Sequence, residues 1–334
     1  MNPFEGRRGP LARRVAGAGF RHEAVDLDGV TISYGKGPDN GRPLVLIPAQ
    51  MATWATYDAV LPALAERFTV YAVDVRGHGN SSWTPGDYSW ASVGRDLRLF
   101  LERVVQRPAI ISGNSSGGII ALWCAANVPA HTAAIVLEDA PVFSLEMPRF
   151  RDRDRFVHDG LVHAVDVLAD FEKRHLAEYF RGQVLPVSER RSKRLPDWFV
   201  DLLDRKVQRY ERRHPGEPSG LSAWWLPGNI GELFRSLSMF DPDFARAFVD
   251  GRFYGDFSHA AALRAVSCPL LLLHATWHRF AAHGLVGAMD DDDARRVREL
   301  APQTVYRRIP ANHVIHRYRP RQFVEALNAF AEES

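Results

Sequence analysis

The sequence predicts an α/β fold, a mostly parallel, doubly wound sheet with a helical insertion in it. Three observations carry that prediction. Short apolar runs of strand length recur at 43–48, 69–73, 109–112, 133–137 and 269–274, and helix-period segments stand between the early ones. One of these runs, at 109–112, turns sharply through a glycine-rich corner straight into helix-forming residues. Between 141 and 262 the rhythm gives way to charged helical stretches at 155–179 and 196–213, broken by HPGEPSG and LPGNIG. The 334 residues suffice for one such domain carrying an insertion.

In order, residues 1–20 contain arginines but no apolar run of signal-peptide length and are expected to form a loose arm. Residues 22–34 alternate about Asp28-Gly29, the pattern of a hairpin. The run PLVLIP at 43–48 suits an interior strand buried on both faces, 57–66 is helical by period, and 69–73 is the next strand. After the corner, 118–127 is a helix ending before Pro129, and 133–137 a strand. The sheet resumes with PLLLLH at 269–274. A helix over 290–300 follows, acidic first and basic later as its macrodipole prefers, then a strand at 304–309 and a closing helix from 320 to 331. This divides the chain into a core at 21–140 and 263–334 and an insertion at 141–262.

Composition narrows the function. Apolar residues make up 46% and charged residues 25%, ordinary for a soluble globular protein. The net charge of +2 gives no electrostatic argument for nucleic acid as a partner, and no stretch of eighteen apolar residues argues for a membrane partner. Two cysteines without metal spacing, and the lack of G-x-G-x-x-G or Walker A patterns, call for no metal and no cofactor. A cytoplasmic monomer or homodimer acting on a small molecule is expected. The arginine and lysine runs at 190–194 and 205–213 are interleaved with acidic residues and read as a solvated helix face.

The corner is Gly113-Asn114-Ser115-Ser116-Gly117, a G-x-S-x-G pattern between strand and helix. Such a turn lifts Ser115 above the sheet edge and needs residues without a Cβ two positions either side. The helix N-terminus beneath offers free N–H groups to a developing negative charge. A serine hydroxyl at neutral pH needs a base within hydrogen-bond reach, and the base needs an orienting acceptor.

Together, LVLIPAQMATWATY at 44–57, AVDVRGHGNSS at 72–82, GNSSGG at 113–118, VLEDAP at 136–141 and ANHVIHRYRPRQF at 311–323 resemble the α/β-hydrolase fold family over about 22–140 and 260–330. The resemblance implies a cap over the pocket and a nucleophile at Ser115. It implies a histidine base after the last strand, at His313 rather than His316. The family's usual aspartate after the strand PLLLLH is missing from HATWHRF at 274–280. The acid is then expected at Asp139, a placement known in some members, with Glu138 facing the other side of the sheet by alternation. The rival is the run Asp290–Asp293. The oxyanion donors are expected from the backbone of Ser116 and Gln50, and the Gln50 amide is a further candidate donor. Trp54, Tyr57, Phe143, Trp224, Trp225 and Trp277 are candidate pocket walls. The loop Asp74-Val75-Arg76-Gly77-His78-Gly79 is expected to hold its neighbours rather than react.

The implied activity is a serine hydrolase for a carboxylic ester or lactone of a small apolar substrate. Carbon–carbon bond hydrolysis, a cofactor-free haloperoxidase-like reaction, and a receptor or pseudoenzyme on the same fold are the alternatives. Epoxide hydrolases and dehalogenases of the family place a carboxylate where this chain has Ser115.

Overall fold

In the computed structural model, which describes residues 1–9, 11–170, 175–221 and 228–334, eight strands make one sheet. They are β1 (Arg21–Leu27), β2 (Val30–Lys36), β3 (Arg42–Ile47), β4 (Phe68–Val73), β5 (Ala109–Asn114), β6 (Thr132–Glu138), β7 (Leu270–His274) and β8 (Thr304–Arg308). Their order across the sheet is β1-β2-β4-β3-β5-β6-β7-β8. The β1–β2 hairpin turns at Asp28 and Gly29, both at positive φ, and pairs antiparallel to β4 through β2. Every other neighbouring pair is parallel.

Side-chain alternation sorts the central strands into two cores. Val45, Ile47, Ile111, Ile135, Leu137, Leu270 and Leu272 face one side, beneath the helices Trp90–Phe100, Ser116–Asn127 and Asp291–Leu300. Leu44, Leu46, Ile110, Ala134, Val136, Leu271 and Leu273 face the other, beneath Leu61–Ala65 and Pro320–Glu333. Helices on both faces explain why the strands read as continuous apolar runs rather than alternating ones. The expected 57–66 helix is split into a 3-10 turn, Trp54–Ala59, and the short helix Leu61–Ala65 with Pro62 in its first turn.

Two features differ from the sequence expectation. The first twenty residues are not loose: Phe4, Val15 and Phe20 are buried and 13–17 is a helical turn. The Asn2 amide donates to the carbonyls of Gly79 and Ser81, while the Asn80 amide donates to Phe4 O. Asn2 satisfies backbone acceptors of the 74–82 loop, a role with no local signature. The second is the insertion's far end. Phe248 and Phe253 pack on Trp90, ring centroids 5.4 and 4.7 Å from it, and Phe244 packs on both of them, so 241–257 belongs to the core that Trp90–Phe100 covers. Each such fully buried ring contributes about 1.5–3 kcal/mol. The remainder of the insertion, with Arg155–Leu168, Asp197–Arg213 and a small hairpin at 185–193, reaches over the carboxyl ends of the strands.

Candidate active site

β5 delivers Ser115 to the top of the sheet. Its backbone sits at φ 55°, ψ −124°, a conformation side chains rarely adopt, and the corner is held by Ser115 N–H donating to Glu138 O at 3.0 Å. The flanking glycines are required by space. A Cβ on Gly113 would lie 2.0 Å from Gly117 O, and one on Gly117 would lie 2.4 Å from Ile47 O. Gly117→Ala should therefore force the helix off β3, cost about 1–3 kcal/mol and remove the reactivity of Ser115. A thermal melt and fluorophosphonate labelling of the variant check this; an alanine variant that labels like wild type contradicts it.

Asp139 and His313 meet beside Ser115. The chain bends at Asp139, φ 42°, as β6 ends, and the buried carboxylate accepts two bonds: Ala275 N–H to Oδ1 at 3.0 Å and His313 Nδ1 to Oδ2 at 2.7 Å. Short carboxylates tolerate that left-handed backbone better than bulkier residues. Nδ1 thus carries the proton and Nε2 is left as the acceptor. The His313 ring keeps 40% of its side-chain surface accessible and lines the cavity. Burial pushes its pKa down, the Asp139 hydrogen bond and charge push it up, and the charge of Glu138 adds to the rise; the net shift is upward. Ser115 and His313 line one cavity, and among the described residues no Ser115 Oγ–His313 hydrogen bond is formed.

The expected oxyanion donors are placed but not both free. Ser116 opens the helix Ser116–Asn127, so its N–H has no intrahelical acceptor. The Gln50 N–H donates to Ser116 Oγ at 2.9 Å, so a substrate oxygen must take the place of that hydroxyl. The Gln50 amide nitrogen is buried, and among the described residues it has no hydrogen-bond partner. Its neighbour Met51, at φ 63°, donates its N–H to His78 Nε2 at 3.1 Å; burial lowers the His78 pKa to about 4 and keeps it neutral. The 74–79 loop thereby props the oxyanion strand end, as the sequence suggests.

The rival acids are engaged elsewhere. Asp290 caps the helix Asp291–Leu300 by accepting from Asp293 N–H and pairs with Arg279 at 2.7 Å. Asp293 takes the fork of Arg149 at 2.6 and 2.7 Å, and Asp291 accepts from Trp277 Nε1. Their position at a helix N-terminus accounts for all of them.

The cavity is about 740 Å³ in volume. Of the expected aromatics, Trp54, Tyr57, Phe143 and Trp277 do not line it. Trp54 is buried against His22 and Gly35, Tyr57 donates to Ile47 O and stacks on His316, and Phe143 lies beneath the Arg296 guanidinium at 4.0 Å. Trp277 lies outside the lining, its indole N–H on Asp291, and Trp224 and Trp225 fall outside the described residues. In their place stand Leu145, Phe150, Phe156, Val157, Leu161 and Tyr179 from the insertion, with Leu285 and Val286 from a hairpin after β7. Val157, Gly160 and Leu161 share one face of Arg155–Leu168, and that i, i+3, i+4 spacing was readable as an apolar stripe. Away from the candidate catalytic groups and Gln50, Ser144, Gln183, Lys193, Thr276, His278 and Asn312 stand at the lining, and Asp154 is paired with Arg149 and Arg279, at 2.6 Å from each.

With this geometry in place, comparison with known proteins defines the class. The α/β hydrolase fold family model matches residues 42–319, and the chain belongs to that family. It is 25% identical over 138 residues to a serine hydrolase-like protein of Homo sapiens, spanning 41% of this chain and 68% of that one. It is 30% identical over 104 residues to a soluble epoxide hydrolase of Corynebacterium sp. (strain C12), spanning 31% of this chain and only 36% of that one. Among solved structures, the esterase RhEst1 from Rhodococcus sp. ECU1013 superposes with a TM-score of 0.63 at 20% identity, over 93% of this chain and 98% of that one. Among the described residues no helix is long and apolar enough to cross a membrane.

Proposed function

We propose that the protein is a serine hydrolase that cleaves a carboxylic ester or lactone with a small apolar acyl or ring portion. The observation that carries this reading is the 2.7 Å Asp139–His313 bond at the wall of a cavity that also holds Ser115 at its strained corner. Ser115 Oγ attacks the substrate carbonyl carbon as His313 Nε2 takes its proton, and Asp139 steadies the imidazolium through Nδ1–H. The carbonyl oxygen becomes negative against the Ser116 and Gln50 N–H groups. Collapse breaks the bond to the alcohol oxygen, which leaves with the proton from His313. Water, deprotonated by His313, then attacks the acyl-enzyme and releases the acid. A cavity of this size, with a wall of aliphatic and aromatic side chains facing the candidate catalytic groups, suits a small apolar group rather than a polymer.

The names of similar proteins support hydrolysis in general: one is a serine hydrolase-like protein, another an esterase. A soluble epoxide hydrolase is also similar over part of its length, but Ser115 stands where an epoxide hydrolase of this family needs a carboxylate. The unformed Ser115–His313 bond favours a second reading, a binding protein on the same fold. Intact mass after incubation with a fluorophosphonate separates the two. One adduct on wild type, absent from Ser115→Ala and His313→Ala, is the expected result. A folded wild type that takes no adduct, while a small ester ligand raises its Tm, would favour the binding protein instead.

A further inference from the structure

The sheet carries a second carboxylate–imidazole pair that the proposed mechanism leaves unused. Strand alternation sends Asp139 to the cavity side of β6 and Glu138 to the opposite side. His316 lies three positions after His313, and the short turn between them passes the sheet's end, so each histidine meets its own carboxylate. His316 N–H donates to Glu138 Oε1 at 2.8 Å, and His316 Nδ1 lies 2.9 and 2.8 Å from Oε1 and Oε2. Both side chains are 0% exposed. Among the described residues, Tyr57, whose phenol burial holds neutral, stacks on the imidazole at 4.0 Å; Thr56 Oγ1 meets Nε2 at 3.3 Å and Phe323 stands edge-on at 5.8 Å.

Glu138 is joined to the reacting groups at its backbone as well. Its carbonyl accepts from Ser115 N–H at 3.0 Å and from the Asn114 amide at 3.1 Å, and the same Asn114 nitrogen donates to His313 O at 3.0 Å. One residue therefore ties the nucleophile's corner by its main chain and the base's loop by its side chain. A buried carboxylate is expensive to keep, and an apolar pair of similar volume would pack the site as well. Its presence calls for a job other than stability.

We propose that Glu138 and His316 are positioning residues that fix the His313 loop relative to Ser115, so that Nε2 lies within reach of the serine hydroxyl. The inference rests on His313 being the base. Asp139 orients the ring of His313; Glu138 and His316 orient its backbone. Neither touches substrate.

The test is the pH dependence of fluorophosphonate labelling in Glu138→Gln and His316→Gln, with melting curves. In Glu138→Gln the maximal labelling rate should fall about 10- to 100-fold, the loss that a remote misplacement of about 1 Å brings. The half-saturating probe concentration should stay within about twofold. The charged groups bearing on His313 are Asp139 and Glu138, and both raise its pKa. Loss of the Glu138 charge should therefore move the acid limb of the rate to lower pH. The limb shift follows from the lost charge in either case, so the maximal rate decides: a packing role alone would lower Tm but leave the folded fraction labelling at the wild-type maximal rate, and that result overturns the proposal. Should Glu138→Gln fail to fold, His316→Gln decides: it keeps the backbone N–H bond to Glu138, and a wild-type maximal rate there is equally fatal. If wild type takes no adduct, or Ser115→Ala and His313→Ala keep it, the hydrolase reading has failed first, and this one falls with it.

Discussion

Replacing Asp139 by asparagine should leave the protein folded and reduce kcat/KM for an aryl ester by roughly 10³- to 10⁴-fold, the scale at which a triad serine enzyme loses its acid. The side chains are isosteric, and Ala275 N–H can still be accepted by the amide oxygen at Oδ1. What changes is the other atom. An amide NH₂ at the place of Oδ2 donates to His313 Nδ1 and drives the ring proton to Nε2, the nitrogen that has to accept from Ser115. The pH profile distinguishes this from simple damage. His313 works only when unprotonated, so activity rises with pH through its pKa, which the structure places above the ordinary histidine value near 6.5. Without the Asp139 bond and charge that pKa falls, and the acid limb of the residual activity should move to lower pH. Activity within a few-fold of wild type, on an unmoved limb, would remove Asp139 from the mechanism. In the same assay Asp290→Asn should be silent in rate, since Asp290 is occupied by the helix cap and Arg279.

The residues of this candidate site were readable because their requirements are local. Gly113 and Gly117 are dictated by atoms within the corner and the adjacent strand β3, and a corner of that shape leaves one residue, Ser115, to project. Asp139 and Glu138 could be told apart by strand alternation alone, since the sheet fixes which of two neighbours faces the cavity. The cavity wall was not legible in the same way. Trp54, Tyr57 and Phe143 are large apolar groups near strand ends, and burial against the sheet or its adjoining helices claims such groups first. What lines the cavity instead is decided by how the helix Arg155–Leu168 lies over the sheet, a tertiary fact fixed by ion pairs such as Arg149–Asp293 across 144 residues. The order of the N-terminal residues depends likewise on the carbonyls of Gly79 and Ser81, which one asparagine happens to satisfy.

Arg76→Ala should be among the most destabilising single changes in the chain, by about 3–5 kcal/mol, the cost of leaving one partner of a buried ion pair alone. The Arg76 side chain is 2% exposed and Asp96 3%, and the guanidinium grips Asp96 with two parallel bonds of 2.5 and 2.7 Å. Its other arm reaches the Asp87 carboxylate at 2.7 Å and the Asp87 carbonyl at 3.0 Å. Lysine cannot reproduce that fork, so Arg76→Lys should recover only part of the loss. Burial already raises the Asp96 pKa against the pull of Arg76, and with the arginine gone only the weaker pull of Arg95 opposes that rise. The sign follows. An aspartate whose folded pKa exceeds its unfolded value near 3.9 binds protons more tightly when folded, so the variant should lose stability as pH rises from about 4 through that folded pKa. Urea midpoints at several pH values test this, and adding Asp96→Asn to Arg76→Ala should return stability and flatten the dependence. Such a loss would reach the active site too. The 74–79 loop carries His78, which holds Met51 N–H next to the oxyanion donor of Gln50, so the surviving folded Arg76→Ala should label more slowly than its melting curve accounts for. A variant that labels in proportion to its folded fraction would show that the loop supports the fold alone.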